Sequence, residues 1–288
     1  MTTVDWSTYL RLLDLVGNSI IAAAVLGVVG GLIGVVVMQR DMAFAVHGIS
    51  ELSFAGAAAA LLLGLNVVAG SILGSLIAAG IIGVLGSRAR DRNSIIGVLM
   101  PFGLGLGILF LALYPGRSGN KFGLLTGQII SVDLPQLGLL MSISAAVLVA
   151  LLVIWRPLTF DSLDPEVASA RGVPARTLSI VFMILLGLAV AVSIQVIGAL
   201  LVLALLVTPA AAALRVSASP VLVPVLSMLF GLVSAVGGIL LALGGSLPIS
   251  PYITTISFAI YLVCRVLGYR RGARSAGRPA APRTLVSP

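Results

Sequence analysis

The sequence predicts an all-α fold, a polytopic bundle of membrane-spanning helices. Apolar runs long enough to cross a bilayer recur from one end of the chain to the other. Hydrophobic residues make up 59% and charged residues only 9%, where a soluble domain carries about 25% charge; the mean hydropathy is +1.20. Glycine is abundant, with 33 residues, and aromatic residues are only 6%. The aromatic girdles and short alternating segments of an outer-membrane barrel are missing, which excludes that class.

The 288 residues divide into nine candidate spans of about 20 residues, near 15–38, 42–64, 66–86, 94–114, 136–155, 177–194, 196–214, 220–243 and 250–269. The sixth and seventh meet around Gln195 with hardly any linker, so eight spans with one long bent helix is the other possible count. Basic residues set the orientation. With loops after odd-numbered spans placed inside, Arg40, Arg88, Arg90, Arg92, Arg156, Arg171, Arg176, Arg215, Arg265, Arg270, Arg271, Arg274, Arg278 and Arg283 are cytoplasmic, and only Arg11, Arg117 and Lys121 are outside. Nine spans then put the N-terminus outside and the C-terminus in the cytoplasm. The net charge of +8 is spread over these loops singly or in small groups, which does not suit nucleic-acid binding. The first twelve residues contain Asp5 and no basic stretch ahead of a cleavage site, so no removable signal peptide is expected. The single Cys264 can form no internal disulfide and no thiolate metal site alone.

Small residues at four-residue spacing, Gly27–Gly31, Gly30–Gly34 and Gly70–Gly74–Ala78, predict helices that approach closely. Pro209 interrupts a span and frees the carbonyl four residues earlier. Two connections are more than linkers. The outer segment 120–135 is mildly amphipathic and reads as a short re-entrant or interfacial helix. Residues 156–176 form the longest cytoplasmic connection and hold Asp161, Asp164 and Glu166. Asp164-Pro165-Glu166 is a helix start, with an acidic N-cap, proline at the first helical position and an acid in the first turn; Gly172 supplies the stop. A helix of one to two turns on the cytoplasmic face follows. Residues 1–269 thus form the membrane domain, and 270–288 a basic tail rich in proline and alanine, expected to be disordered near anionic headgroups.

Glu51 is the one acidic residue well inside an apolar span. Ten residues after Asp41 it lies about 15 Å deep, near the midplane, with His47 one turn earlier on the same face and the hydroxyls of Ser50 and Ser53 close by. An unpaired carboxylate at that depth costs at least a few kcal/mol. A proton, the imidazole of His47 or a divalent cation bound to both side chains would relieve it, and zinc, manganese and iron accept imidazole nitrogen with carboxylate oxygen. A plain hydrogen bond fixing helix packing is the structural alternative. Two ligands do not fill a metal site, so Gln195, Gln128 or carbonyls near Pro209 are weaker candidates to complete it. No zinc-protease motif, nucleophile elbow or phosphate loop is present, and the only histidine is His47. The chain is therefore expected to be a transport subunit rather than an enzyme, with no permanently bound cofactor, and any ATP hydrolysis must belong to a separate chain.

The second span and its flanks, GGLIGVVVMQRDMAFAVHGISELSFAG, resemble the permease subunits of bacterial ABC importers for zinc, manganese and iron. In that family a GxxGxxxVxxR-like end of the first span leads into a pattern like GDxxSHxxLxG. Ser50 and Gly56 match it, His47 stands where the family has aspartate, and Glu51 where it has histidine. FDSLDPEVASARGV is similar to the family's ATPase-docking loop, with Asp164, Glu166, Ala168 and Gly172 in its recognisable positions and Asp161 just before them. LLTGQIISV and VIGALLVLALLVTPAAAALR, with Gly198, Pro209, Ala210, Ala211 and Ala213, resemble further family segments in the same order. The resemblance implies a permease in the bacterial plasma membrane, working with a second permease copy, two ATPase subunits and an extracytoplasmic metal-binding protein. It implies His47 and Glu51 as metal-handling residues, with zinc ranked first as cargo and manganese second. A proton-coupled secondary transporter with a His47–Glu51 relay, and a permease for an iron chelate, are the competing readings.

Overall fold

The computed structural model describes residues 13, 15–86, 89–116, 124, 132–199, 201–244 and 249–276. Most of these residues are helical, with no strand among them. The helices are α1 (Gly17–Gln39), α2 (Ala43–Leu62), α3 (Val67–Leu85), α4 (Ala89–Leu113), α5 (Leu134–Leu163), α6 (Pro165–Ala170), α7 (Ala175–Ile197), α8 (Val202–Leu206), α9 (Thr208–Val216), α10 (Leu222–Leu243) and α11 (Ile249–Ala276). Eight of them are long and apolar enough to cross a membrane: α1 to α5, α7, α10 and α11.

The seventh predicted span is the exception, and its difference from expectation has a clear cause. Gly198, at φ 88°, ends α7 in a conformation that side-chain-bearing residues avoid. The chain then returns as α8 and α9, broken at Val207 immediately before Thr208 and Pro209. Pro209 has no N–H to give the carbonyl of Leu205, and its ring crowds that turn. Contacts along the broken piece show that it nevertheless recrosses the bundle. Ala199 meets Leu124 at one end, beside the end of α7, where Ser250 donates to the Ile197 carbonyl; Leu205 packs on Gly30 midway; Ala213 packs with Val35 and Val223 towards the other. Among the described residues the helices thus cross the bundle about nine times, eight by long helices and once by the broken pair, and α1 starts at the end of the bundle opposite to where α11 finishes.

With no hydrophobic force between helices in lipid, close backbone approach must hold such a bundle together. A Cβ on Gly27 would stand 2.7 Å from the Gly231 carbonyl oxygen of α10, and one on Gly31 would stand 2.5 Å from that of Ser227. Ser227 uses this proximity to donate a 2.6 Å hydrogen bond to the Gly31 carbonyl. A Cβ on Gly56 of α2 would lie 2.2 Å from the Gly70 oxygen of α3. The glycine spacings read from the sequence are thus helix contacts.

The fifth span reaches further than expected. Asp133 caps α5 by accepting from the Gln136 amide at 2.8 Å, and the helix runs on through Pro157 to Leu163, so Asp161 lies in its last turn and not in a loop. The short helix predicted after it is α6: Asp164 accepts from the Val167 amide at 3.1 Å, Pro165 opens the helix and Gly172, at φ 78°, closes it. At the C-terminus α11 continues through Gly272 to Ala276, six residues past the expected start of the tail at 270, because Arg and Ala are good helix formers and no proline interrupts the chain before Pro279. The remaining tail, 277–288, lies outside the described residues, as does most of the predicted 120–135 helix.

Candidate functional site: a histidine–glutamate pair in the second helix

The site grows out of α2, one of the most enclosed helices of the bundle. It packs on α3 along one face and on α4 along another, and it also touches α7 and α8. On the α4 side Gly103 makes room: a Cβ there would stand 2.9 Å from the Glu51 carbonyl carbon and 2.6 Å from Leu52 Cδ1. Gly107 accommodates the Phe54 ring in the same way. The α4 backbone is thereby pressed against the stretch of α2 that carries Glu51.

Helical spacing places His47 and Glu51 on one face, with His47 Nε2 3.5 Å from Glu51 Oε1. That is longer than the usual 2.7–3.2 Å of a strong hydrogen bond, so the two groups adjoin without being locked together. The Glu51 side chain is 4% exposed and that of His47 is 27% exposed. His47 Nδ1 is buried and accepts or donates no hydrogen bond. The pair thus offers one imidazole and one carboxylate, sheltered on the carboxylate side and open on the other. Among the described residues no third His, Cys, Asp or Glu joins them in a metal-sized cluster.

The other sequence candidates fall in different places. Ser50 is buried and donates to the His47 carbonyl at 2.8 Å, a bond within α2. Ser53 turns to α3, meeting the Ser71 carbonyl at 2.9 Å and its hydroxyl at 2.8 Å. Gln195 is not brought to the pair. It lines a cleft of about 690 Å³ at the far end of the bundle beside Leu61, Asn66, Asp133 and Gln136, and Leu61 is ten residues, or about 15 Å, beyond Glu51 along α2. Gln128 lies outside the described residues. The Pro209 break comes closer: α8, just before it, packs on α1 and touches α2. Ala168 is fully buried in α6, whereas Asp164 and Glu166 are exposed on it.

Asp161 has a partner that sequence inspection does not reveal. Its Oδ2 is 2.5 Å from Arg40 Nη2, and Arg40 Nε donates to Ser162 Oγ at 2.7 Å. Burial lowers the Arg40 pKa, and the neighbouring Asp161 carboxylate opposes that shift. The two residues are 121 positions apart. Each belongs to a motif visible in the sequence, but no local signal joins them.

Two helices that offer a nitrogen–oxygen pair and an exposed acidic turn are compatible with many transporters, and comparison narrows them. The family model described as the ABC 3 transport family matches residues 13–268, which is nearly the whole of the described bundle. The chain belongs to the ABC 3 transport family. Within it, the chain is 30% identical over 224 residues to the manganese transport system membrane protein MntC of Halalkalibacterium halodurans, covering 77% of this chain and 76% of that one. It is 27% identical over 247 residues to the manganese import system permease protein ScaB of Streptococcus parasanguinis, covering 85% and 88%. The solved structure of PsaBC from Streptococcus pneumoniae in complex with Fab is similar with a TM-score of 0.80 and 27% identity, over 90% of this chain and 94% of that chain. As an ABC 3 family permease the protein is a multi-pass membrane transport component, and the proton-coupled secondary-transporter reading falls away.

Proposed function

We propose that the protein is the membrane-spanning permease of an ATP-driven importer of divalent metal ions, with manganese as the favoured cargo and zinc second. The His47–Glu51 pair carries the reading: a partly open imidazole nitrogen and a buried carboxylate oxygen 3.5 Å apart on one helix face. Both are ligands that manganese accepts. Manganese replaces zinc in first place because the relatives at comparable length are named for manganese.

In this reading the arginine-rich end of the bundle faces the cytoplasm, where basic residues accumulate in bacterial membrane proteins. An extracytoplasmic binding protein releases the ion between two copies of the permease. His47 and Glu51 replace part of its hydration shell, and two ligands suffice because a transit site must also empty. Separate ATPase subunits dock at the exposed acids of α6, Asp164 and Glu166, and their cycle moves the helices that control access.

The test is ion uptake into cells or liposomes containing the chain, its ATPase and its binding protein, with manganese(II) against zinc(II). Uptake that needs both Glu51 and a functional ATPase supports the proposal, and competition between the two ions ranks them. Uptake that survives an ATPase-dead partner overturns it.

A further inference from the structure

Sequence and topology bring a second polar cluster together at the arginine-rich end, away from His47 and Glu51. Its centre is the corner between α1 and α2. Helix α1 ends in a paired-turn cap, with the Asp41 amide donating to the Met38 carbonyl and the Met42 amide to the Val37 carbonyl at 2.9 Å. That cap requires a left-handed residue, and Asp41 takes the position at φ 52°. The corner is thereby stiff, and α2 starts from it one residue later, with His47 seven positions past Arg40.

Arg40 holds this corner to the end of α5. The Nη2 and Nε donors of its guanidinium meet Asp161 and Ser162 side by side, and the Ser162 hydroxyl itself donates to the Leu158 carbonyl at 2.6 Å. Engaging two adjacent side chains with one planar fork fixes the rotation of the last turn of α5 as well as its position. The guanidinium also lies 5.9 Å over the Phe182 ring of α7. From α4, Arg92 donates to the Arg40 carbonyl at 3.1 Å. The Arg40 and Asp161 side chains are only 11% and 8% exposed.

Stability is a weak explanation for such a pair. Well-packed apolar residues in place of a buried ion pair are often neutral or stabilising, whereas the pair specifies one register. The register specified here connects two places with function. Asp161 is three residues before Asp164, the cap of α6, and Arg40 heads the turn into the helix bearing the metal pair.

We propose that Arg40 and Asp161 are positioning residues that couple the α6 docking helix to the metal-bearing α2, so that a shift of α6 moves α2 as one body through the α1–α2 corner. This rests on the importer reading above. Asp161 then acts through Arg40 and does not itself touch the ATPase.

The experiment reconstitutes the full complex in proteoliposomes and measures manganese(II) uptake and ATP hydrolysis together. Asp161→Asn is expected to keep hydrolysis within about twofold of the parent while uptake falls about tenfold, a typical coupling loss. The exchanged pair Arg40→Asp with Asp161→Arg is expected to recover uptake per ATP to at least about a third of the parent, as its partners again attract. Unchanged uptake per ATP in Asp161→Asn overturns the proposal, and so does a parallel loss of uptake and hydrolysis, which marks a docking contact. If Asp161→Asn does not assemble, the exchanged pair decides: assembly with coupled uptake supports the latch, while assembly without coupling, or no assembly, overturns it. Failure of the importer reading is seen separately, as a parent complex that takes up no manganese(II) with ATP.

Discussion

Replacing Glu51 by glutamine should separate transport from stability, because the two respond in opposite directions. Insertion scales set the cost of an acidic side chain at the centre of a span at about 2.5–3.5 kcal/mol. Glu51 is 4% exposed, and its one ionisable neighbour among the described residues is the His47 ring, 3.5 Å away and 27% exposed. A pair that long and partly wetted returns no more than about 1 kcal/mol. The amide keeps the shape and removes the charge, so Glu51→Gln stabilises the resting permease by between zero and about 2 kcal/mol, less whatever the buried amide costs in its turn. At about 2–4 °C per kcal/mol for chains of this order, the melting temperature in detergent stays level or rises by up to about 8 °C. Transport moves the other way. Loss of a charge-assisted contact to the dication is worth about 1.5–3 kcal/mol, or roughly a 10- to 150-fold drop in the specificity constant for manganese uptake. Thermal unfolding of the purified chain and uptake by the assembled complex measure both quantities on the same preparation. Parental uptake by Glu51→Gln refutes the ligand assignment. Lost uptake with a lowered melting temperature would make Glu51 a packing residue and refute the reasoning equally.

Three further outcomes follow from particular contacts. Gly103→Ala places a Cβ 2.6 Å from Leu52 Cδ1 and 2.9 Å from the Glu51 carbonyl carbon, so α4 must retreat from α2. Overpacking of this kind costs about 1–3 kcal/mol, and a lowered melting temperature with reduced uptake is expected, whereas an unchanged melting temperature would contradict the close approach. Gly34→Ala is more severe, since its Cβ would fall 1.8 Å from the Leu206 carbonyl oxygen at the broken traverse; the yield of folded chain on size exclusion should collapse. Asp164→Ala removes the side-chain cap of α6, worth about 1 kcal/mol to a helix of six residues. Co-purification of the ATPase should weaken while the melting temperature of the permease alone barely changes, because α6 is peripheral to the bundle.

How far the sequence reached can be judged residue by residue. Composition and hydropathy determined that the chain is a helical membrane bundle, since in hydrocarbon a backbone must satisfy its own hydrogen bonds and helices do so locally. The same locality made α6 legible to the residue: Asp164, Pro165 and Gly172 each act within four positions of themselves. The His47–Glu51 pair was legible because one helical turn separates its members and an acid in an apolar span is expensive wherever it lies. What the sequence left open was set by distance along the chain. It did not show that the seventh traverse breaks into α8 and α9, because Pro209 alone allows a kink or a break; the break falls at Val207, next to where the Leu206 carbonyl approaches Gly34. Nor did it place Gln195, which tertiary packing sends to the far cleft and away from Glu51. It ran Asp161 into a loop, whereas α5 extends past Pro157 and delivers that carboxylate to Arg40. Local spacing, caps and burial costs are written into neighbouring residues; an ion pair bridging 121 positions exists only once four helices have packed, and only the tertiary structure could supply it.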